Sequence, residues 1–166
     1  MRASVGVTAA VAAVLAIGAG PASAQAPRTC TWGGTPAAAT GENRILGGGL
    51  TNTPSTKPLQ FRATGPLGGQ CEGTMVFDGT MDAGASCGYI TFHARVYGLP
   101  GVTSVEGTNA AGVAPAKLYD RDGNLVGSEN AEFLADPSVA TECLTPPGVT
   151  HNPFSSVVEL FGQQPR

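Results

Sequence analysis

Apolar and polar residues alternate over two stretches of the chain. Leu59, Phe61 and Ala63 alternate with Gln60, Arg62 and Thr64, and Ile90, Phe92, Ala94 and Val96 alternate with Tyr89, Thr91, His93, Arg95 and Tyr97. A period of two is that of a strand with one buried face. Shorter runs at 29–33, 44–50, 71–77, 103–108, 116–119, 124–133 and 155–161 are bounded by Gly, Pro, Asn and Asp at the close spacing typical of sandwiches and barrels. Segments 37–40 and 47–58, rich in Ala, Gly, Thr, Asn and Pro, read as loops or weak edge structure. Beyond the first two dozen residues no stretch keeps an apolar face at helical spacing for three turns. The pattern predicts an all-β protein, an antiparallel β-sandwich or a short β-barrel.

Two turns can be placed. Asp120-Arg121-Asp122-Gly123 separates Leu118-Tyr119 from Leu125-Val126, and Asp-Gly is a strong hairpin signal because Gly accepts positive φ. Asp78-Gly79 has the same form between Met75-Val76-Phe77 and Met81, and is expected to be a second turn.

The first residues have another use. Met1-Arg2 is a positive start, the run from Val5 to Gly18 is apolar or small, and Ala22-Ser23-Ala24 is a small-x-small cleavage signal. The apolar run falls short of the roughly 20 residues a membrane span requires. One Arg does not make a twin-Arg signal, and Cys30 lacks the preceding apolar run of a lipid-modified cysteine. Residues 1–24 are therefore expected to be a cleaved signal peptide. Residues 25–166 are expected to form one secreted, extracellular domain with no membrane attachment.

All four cysteines, Cys30, Cys71, Cys87 and Cys143, follow that segment. In an oxidising compartment an even count favours two disulfides. Loop closure favours the short pairing Cys71–Cys87, leaving Cys30–Cys143. A hairpin turning at Gly79, midway between Cys71 and Cys87, agrees with it. One conflict remains, since Cys87 shares its parity with Tyr89 rather than with Ile90, so Gly84 or Gly88 must host a bend that resets the phase. A four-cysteine metal site needs two close pairs, which the spacing lacks.

Composition narrows the partners. The chain has 24 Gly and 13 Pro, and 9 basic against 12 acidic residues for a net charge of −3. No basic field exists to gather nucleic acid. Candidate chemistry is sparse. Gly84-Ala85-Ser86-Cys87-Gly88 fits the nucleophile-elbow pattern, but a strand rather than a helix follows it. Asp120-x-Asp122-Gly123-Asn124 has alternate carboxylates, yet places Gly fourth and Ala131 twelfth, unlike a calcium loop. His93 and His151 are the two histidines, so a zinc site needs both plus carboxylates. Glu129 and Glu132 have opposite strand parity and cannot face one glycosidic bond. Trp32 reads as a core or disulfide-packing residue. No metal and no cofactor are expected.

The positions with most recognition chemistry are Tyr89, His93, Arg95 and Tyr97, of one parity on one strand. Aromatic rings and Arg supply rigid contact area and directed hydrogen bonds. In a barrel the same face could point inward and line a cavity.

The chain resembles the small secreted proteins of unknown function common in actinobacteria. The likeness rests on the leader, Cys-Thr-Trp-Gly-Gly at 30–34, Phe-Asp-Gly-Thr-x-Asp at 77–82, Leu-Tyr-Asp-Arg-x-Gly-Asn-Leu-Val-Gly-Ser at 118–128, and Ser-Ser-Val-Val-Glu-Leu-Phe at 155–161. It implies no activity. The expectation is a non-catalytic binding or interaction module for an extracellular protein or cell-envelope ligand, because no nucleophile, base and orienting group can be assembled. The alternatives are a proteinaceous inhibitor of an extracellular hydrolase and a small enzyme using His93 or His151.

Overall fold

The computed structural model describes residues 26–110, 112–133 and 137–162. The leader 1–24 lies outside them. The strands are β1 (Arg28–Trp32), β2 (Gly34–Thr35), β3 (Ala38–Ala39), β4 (Gly41–Leu46), β5 (Leu59–Gly69), β6 (Thr74–Met81), β7 (Tyr89–Tyr97), β8 (Ser104–Ala110), β9 (Val113–Tyr119), β10 (Leu125–Phe133) and β11 (His151–Leu160), with one short helix, α1 (Pro137–Glu142), before β11. From β5 to β11 each strand pairs antiparallel with the next.

The sheet closes on itself, which decides for a barrel against a sandwich. Both β1 and β4 bridge β11 to β5, running in the same direction end to end. Cys30 faces Gly69 and Val158, and Glu42 faces Thr64 and Pro153, so both strands set β5 against β11 at one offset. They make a single eighth stave, interrupted by the small β2–β3 hairpin. The hairpin is pinched at its base, where the Gly33 carbonyl accepts the amides of Thr40 (2.7 Å) and Gly41 (3.1 Å). Gly41 must be glycine there, since a Cβ would stand 2.6 Å from the Phe154 carbonyl oxygen.

A row of paired residues followed around the barrel runs Gly69, Cys30, Val158, Glu129, Ala116, Gly107, Phe92, Met81, Leu59. It returns to β5 ten residues away from its start (69 − 59). With a rise of about 3.3 Å and a strand spacing of about 4.8 Å, that stagger tilts the eight strands by about 40°. A closed sheet has no edge to protect from other chains. An eight-stranded interior is just wide enough for side chains or one small ligand.

Alternation then sorts the residues. Ile90, Phe92, Ala94 and Val96 point inward, and the charged side chains of Arg62, Asp78, Arg95, Glu106 and Lys117 stand outside. Inside, Trp32 packs on Phe77 and Phe154 with ring centroids 4.4 and 4.5 Å apart, and its indole N–H donates to the Met75 carbonyl at 3.1 Å. Gly107 lies under the Phe92 ring, which a Cβ would meet at 2.8 Å. Among the described residues no helix is long and apolar enough to cross a membrane.

Two expectations are corrected. Asp78-Gly79 is not a turn, because 74–81 is one continuous strand with Asp78 outside and Gly79 inside. The disulfides consequently pair Cys30 with Cys71 and Cys87 with Cys143, at Cα separations of 5.4 and 6.1 Å. The pairing Cys71–Cys87 assumed a hairpin between them. Instead the eight residues of β6 carry the chain about 26 Å along the barrel wall, several times the reach of a disulfide. One bridge staples each end. The hairpin at Asp120–Gly123 stands, with Gly123 at φ 79° and the Asp120 carboxylate accepting the amides of Asp122 and Asn124, each at 2.9 Å. The phase conflict near Cys87 is resolved by the 82–88 connection, in which Gly84 takes φ 97° and Cys87 precedes the strand.

Candidate functional site

The end where β5 begins is roofed by the long connections. Leu50 and Val149 exchange backbone hydrogen bonds (2.9 and 2.8 Å), the Cys87 amide donates to the Thr51 carbonyl (2.9 Å), and the Asn52 amide donates to the Cys143 carbonyl (2.9 Å). The Cys87–Cys143 bridge ties the β6–β7 connection to the segment that follows α1. Segment 47–58 thus spends these backbone groups on the roof rather than on a protruding loop. At the opposite end Leu99, Val102, Leu118 and Leu160 are packed shut.

Beneath the roof lies an interior cavity of about 100 Å³, lined by every stave and walled mainly by aromatic and aliphatic side chains. Trp32, Phe61, Phe77, Phe92, Phe133 and Phe154 supply its rings. Its polar side chains are few: Glu129, Asn43, Asn109 and Asn152. Glu129 is 3% exposed, and its carboxylate accepts the Ser156 hydroxyl at 2.5 Å. Burial pushes that carboxyl up from the usual 4.5 to about 7, partly offset by the Ser156 hydrogen bond. Asn43, 7% exposed, faces Asn152 directly across the β4–β11 ladder. The Oδ1 atoms of both are buried without a hydrogen-bond partner.

These groups occupy two levels. On β11 the inward positions run Asn152, Phe154, Ser156, so the Asn43–Asn152 pair stands toward the roof and Glu129, joined to Ser156, at the floor. About 13 Å of strand rise separates Asn152 from Ser156. Sequence reasoning passed over Glu129 because it weighed only the pair with Glu132. The signal was present: Glu129 shares the parity of Gly127, Ala131 and Phe133, a lone acid on an apolar face. Asn43, between Gly41 and Ile45, is the same kind of exception.

The residues singled out by chemistry stand elsewhere. Tyr89, His93, Arg95 and Tyr97 do share a face, and it is the outer one, with Tyr89 and Tyr97 about half exposed. His93 Nδ1 is 3.7 Å from Asp82, itself hydrogen-bonded by Thr91 at 2.6 Å. Across the strands His93 faces Thr80 and Glu106, and Arg95 faces Asp78 and Ser104, a cross-strand ladder of polar partners open to water. His151 lies on β11, with β8, β9 and β10 between it and the strand of His93. Its Nε2 is 3.1 Å from Glu42, whose carboxyl is held below its usual value mainly by the Arg44 hydrogen bond. The two histidines are therefore not brought together. Among the described residues no group of three metal-ligating side chains is assembled. Trp32 is an inward core residue, as its place beside Cys30 implied. Asp120 is engaged by its own turn.

No family model matches this chain, and no curated protein or solved structure is significantly similar to it.

Proposed function

We propose that the protein is an exported, non-catalytic binding barrel whose interior takes up a small, mostly apolar molecule bearing one polar head. The observation that carries this reading is Glu129, a fully buried carboxyl with a single protein partner, facing a cavity that also holds two unanswered amide oxygens. A buried acid and buried polar atoms without partners cost stability, and a sequence free to fill a barrel with Leu and Val has no structural need of them. Perturbed acids in pockets mark functional sites. The volume is of the order that takes a few-atom ligand, since a dry apolar cavity of about 150 Å³ can bind benzene.

Export is part of the proposal. It is supported by the leader pattern and by two disulfides of the kind that persist in oxidising compartments. The outer strip of Tyr89, His93, Arg95 and Tyr97 plays no part in binding at the cavity.

The chain has one tryptophan, and it lines the cavity. Trp32 fluorescence and thermal stability can therefore be followed while fragment-sized compounds are added. A ligand at about a hundred times its Kd should stabilise the fold by roughly 2.7 kcal/mol. Failure of every fragment to shift either signal at millimolar concentration, together with ordered waters on Glu129, Asn43 and Asn152 in a crystal structure, would overturn the reading.

A further inference from the structure

Three side chains of the cavity hold oxygens with acceptor capacity to spare. Glu129 has lone pairs left after accepting the one Ser156 hydroxyl, and the Oδ1 atoms of Asn43 and Asn152 have no donor at all. Among the described residues no lysine, arginine or histidine lines the cavity to supply a counter-charge. Aromatic rings line the same cavity: Trp32 against Phe77 and Phe154, Phe133 6.1 Å from Phe154, and Phe61 5.6 Å from Phe92. A buried carboxylate lacking a cation, in a cavity lined by aromatic rings, is complementary to one class of small molecule. Ring faces attract a cation, and a charge-assisted hydrogen bond from N–H to carboxylate is about twice as strong as a neutral one.

We propose that the ligand is a small organic amine bound as its ammonium ion. Its N–H groups donate to the Glu129 carboxylate at the cavity floor, and its alkyl body lies against the rings. The Asn43–Asn152 pair, on the roof side of the same cavity, offers acceptors to a donor-bearing head on its way in. This inference rests on the binding reading above and narrows it. A neutral head brings no charge to the Glu129 carboxylate, and an acidic head sets a like charge in the same cavity, so both are matched less well.

Three probes of one shape separate the possibilities: n-butylamine, n-butanol and butyrate, titrated into the full mature protein at about pH 8 with Trp32 fluorescence and calorimetry. The amine should bind at least about tenfold more tightly than the alcohol, and butyrate should not bind. The variant Glu129→Gln should abolish the preference for the amine and leave the alcohol within about twofold, which also reports that the cavity is still formed. Ser156→Ala removes a competing donor and should keep the preference. Lowering the pH from about 8 to about 6 protonates Glu129, the one ionisable side chain facing the cavity among the described residues. The amine affinity should then fall while the alcohol affinity stays. The amine assignment is overturned if butanol or butyrate binds as well as butylamine, or if Glu129→Gln keeps the amine preference. Silence from all three probes also overturns the amine assignment, and the binding reading on which it rests falls with it when the wider fragment set is silent and ordered waters occupy Glu129, Asn43 and Asn152.

Discussion

Replacing Glu129 with glutamine keeps the size of the side chain and an oxygen for the Ser156 hydroxyl, and removes the one ionisable group that faces the cavity among the described residues. The carboxyl is raised in the folded state from 4.5 to about 7, chiefly by burial. A raised acid binds its proton more tightly in the native chain than in the unfolded one. Its stabilisation is fully present below about pH 4.5 and is lost as pH rises through about 7. Each pKa unit corresponds to 1.36 kcal/mol, so the wild type should lose about 3 kcal/mol relative to Glu129→Gln between about pH 4 and pH 8. Urea unfolding of both proteins at half-unit pH steps measures the difference. The Glu42 carboxyl, held low by Arg44, contributes with the opposite sign, but it is present in both proteins and cancels. Parallel curves would refute the buried, unpaired state of Glu129. A wild type that gains on the variant as pH rises would show that a buried cation answers the carboxylate in the folded protein.

Non-reducing peptide mapping should recover Cys30–Cys71 and Cys87–Cys143, and a Cys71–Cys87 peptide would contradict the end-stapled barrel. Opening either bridge with paired serines releases a loop of 41 or 56 residues, worth about 4 kcal/mol each in the chain-entropy model. Loss of Cys87–Cys143, which roofs the cavity, should in addition speed ligand exchange in stopped-flow Trp32 fluorescence, and loss of Cys30–Cys71 should not. Gly41→Ala drives a methyl into the Phe154 carbonyl and ring, and should cost on the order of 1–3 kcal/mol in chemical denaturation, whereas Gly123→Ala meets only backbone strain in an open turn and should cost less. Joint substitution of His93, Arg95 and Tyr97 by Ser, Gln and Thr alters an exposed face. It should move stability by no more than roughly 0.5 kcal/mol per site and leave amine binding unchanged.

Period-two alternation over 59–64 and 89–97, together with short runs punctuated by turn residues, determined the class of the fold and most of its strands, because a half-buried strand writes its two faces directly into consecutive residues. It also correctly turned the chain at Asp120–Gly123, where the hydrogen bonds are local, made within a few residues by Asp120 itself. Three matters were decided only by the tertiary structure. Sandwich or barrel depends on whether β1 and β4 reach across to β5 and β11, and the alternation of each strand is the same either way. Cysteine partners depend on which strand ends meet at which mouth of the barrel, whereas loop length favours the nearest cysteine whatever lies between. The inside of the barrel decided the candidate site: Tyr89, His93, Arg95 and Tyr97 carry the more conspicuous chemistry, but the closed sheet turns them to water. Glu129, Asn43 and Asn152 look unremarkable in the chain and acquire their significance from three strands curving around one interior cavity, where burial makes an oxygen without a protein partner costly.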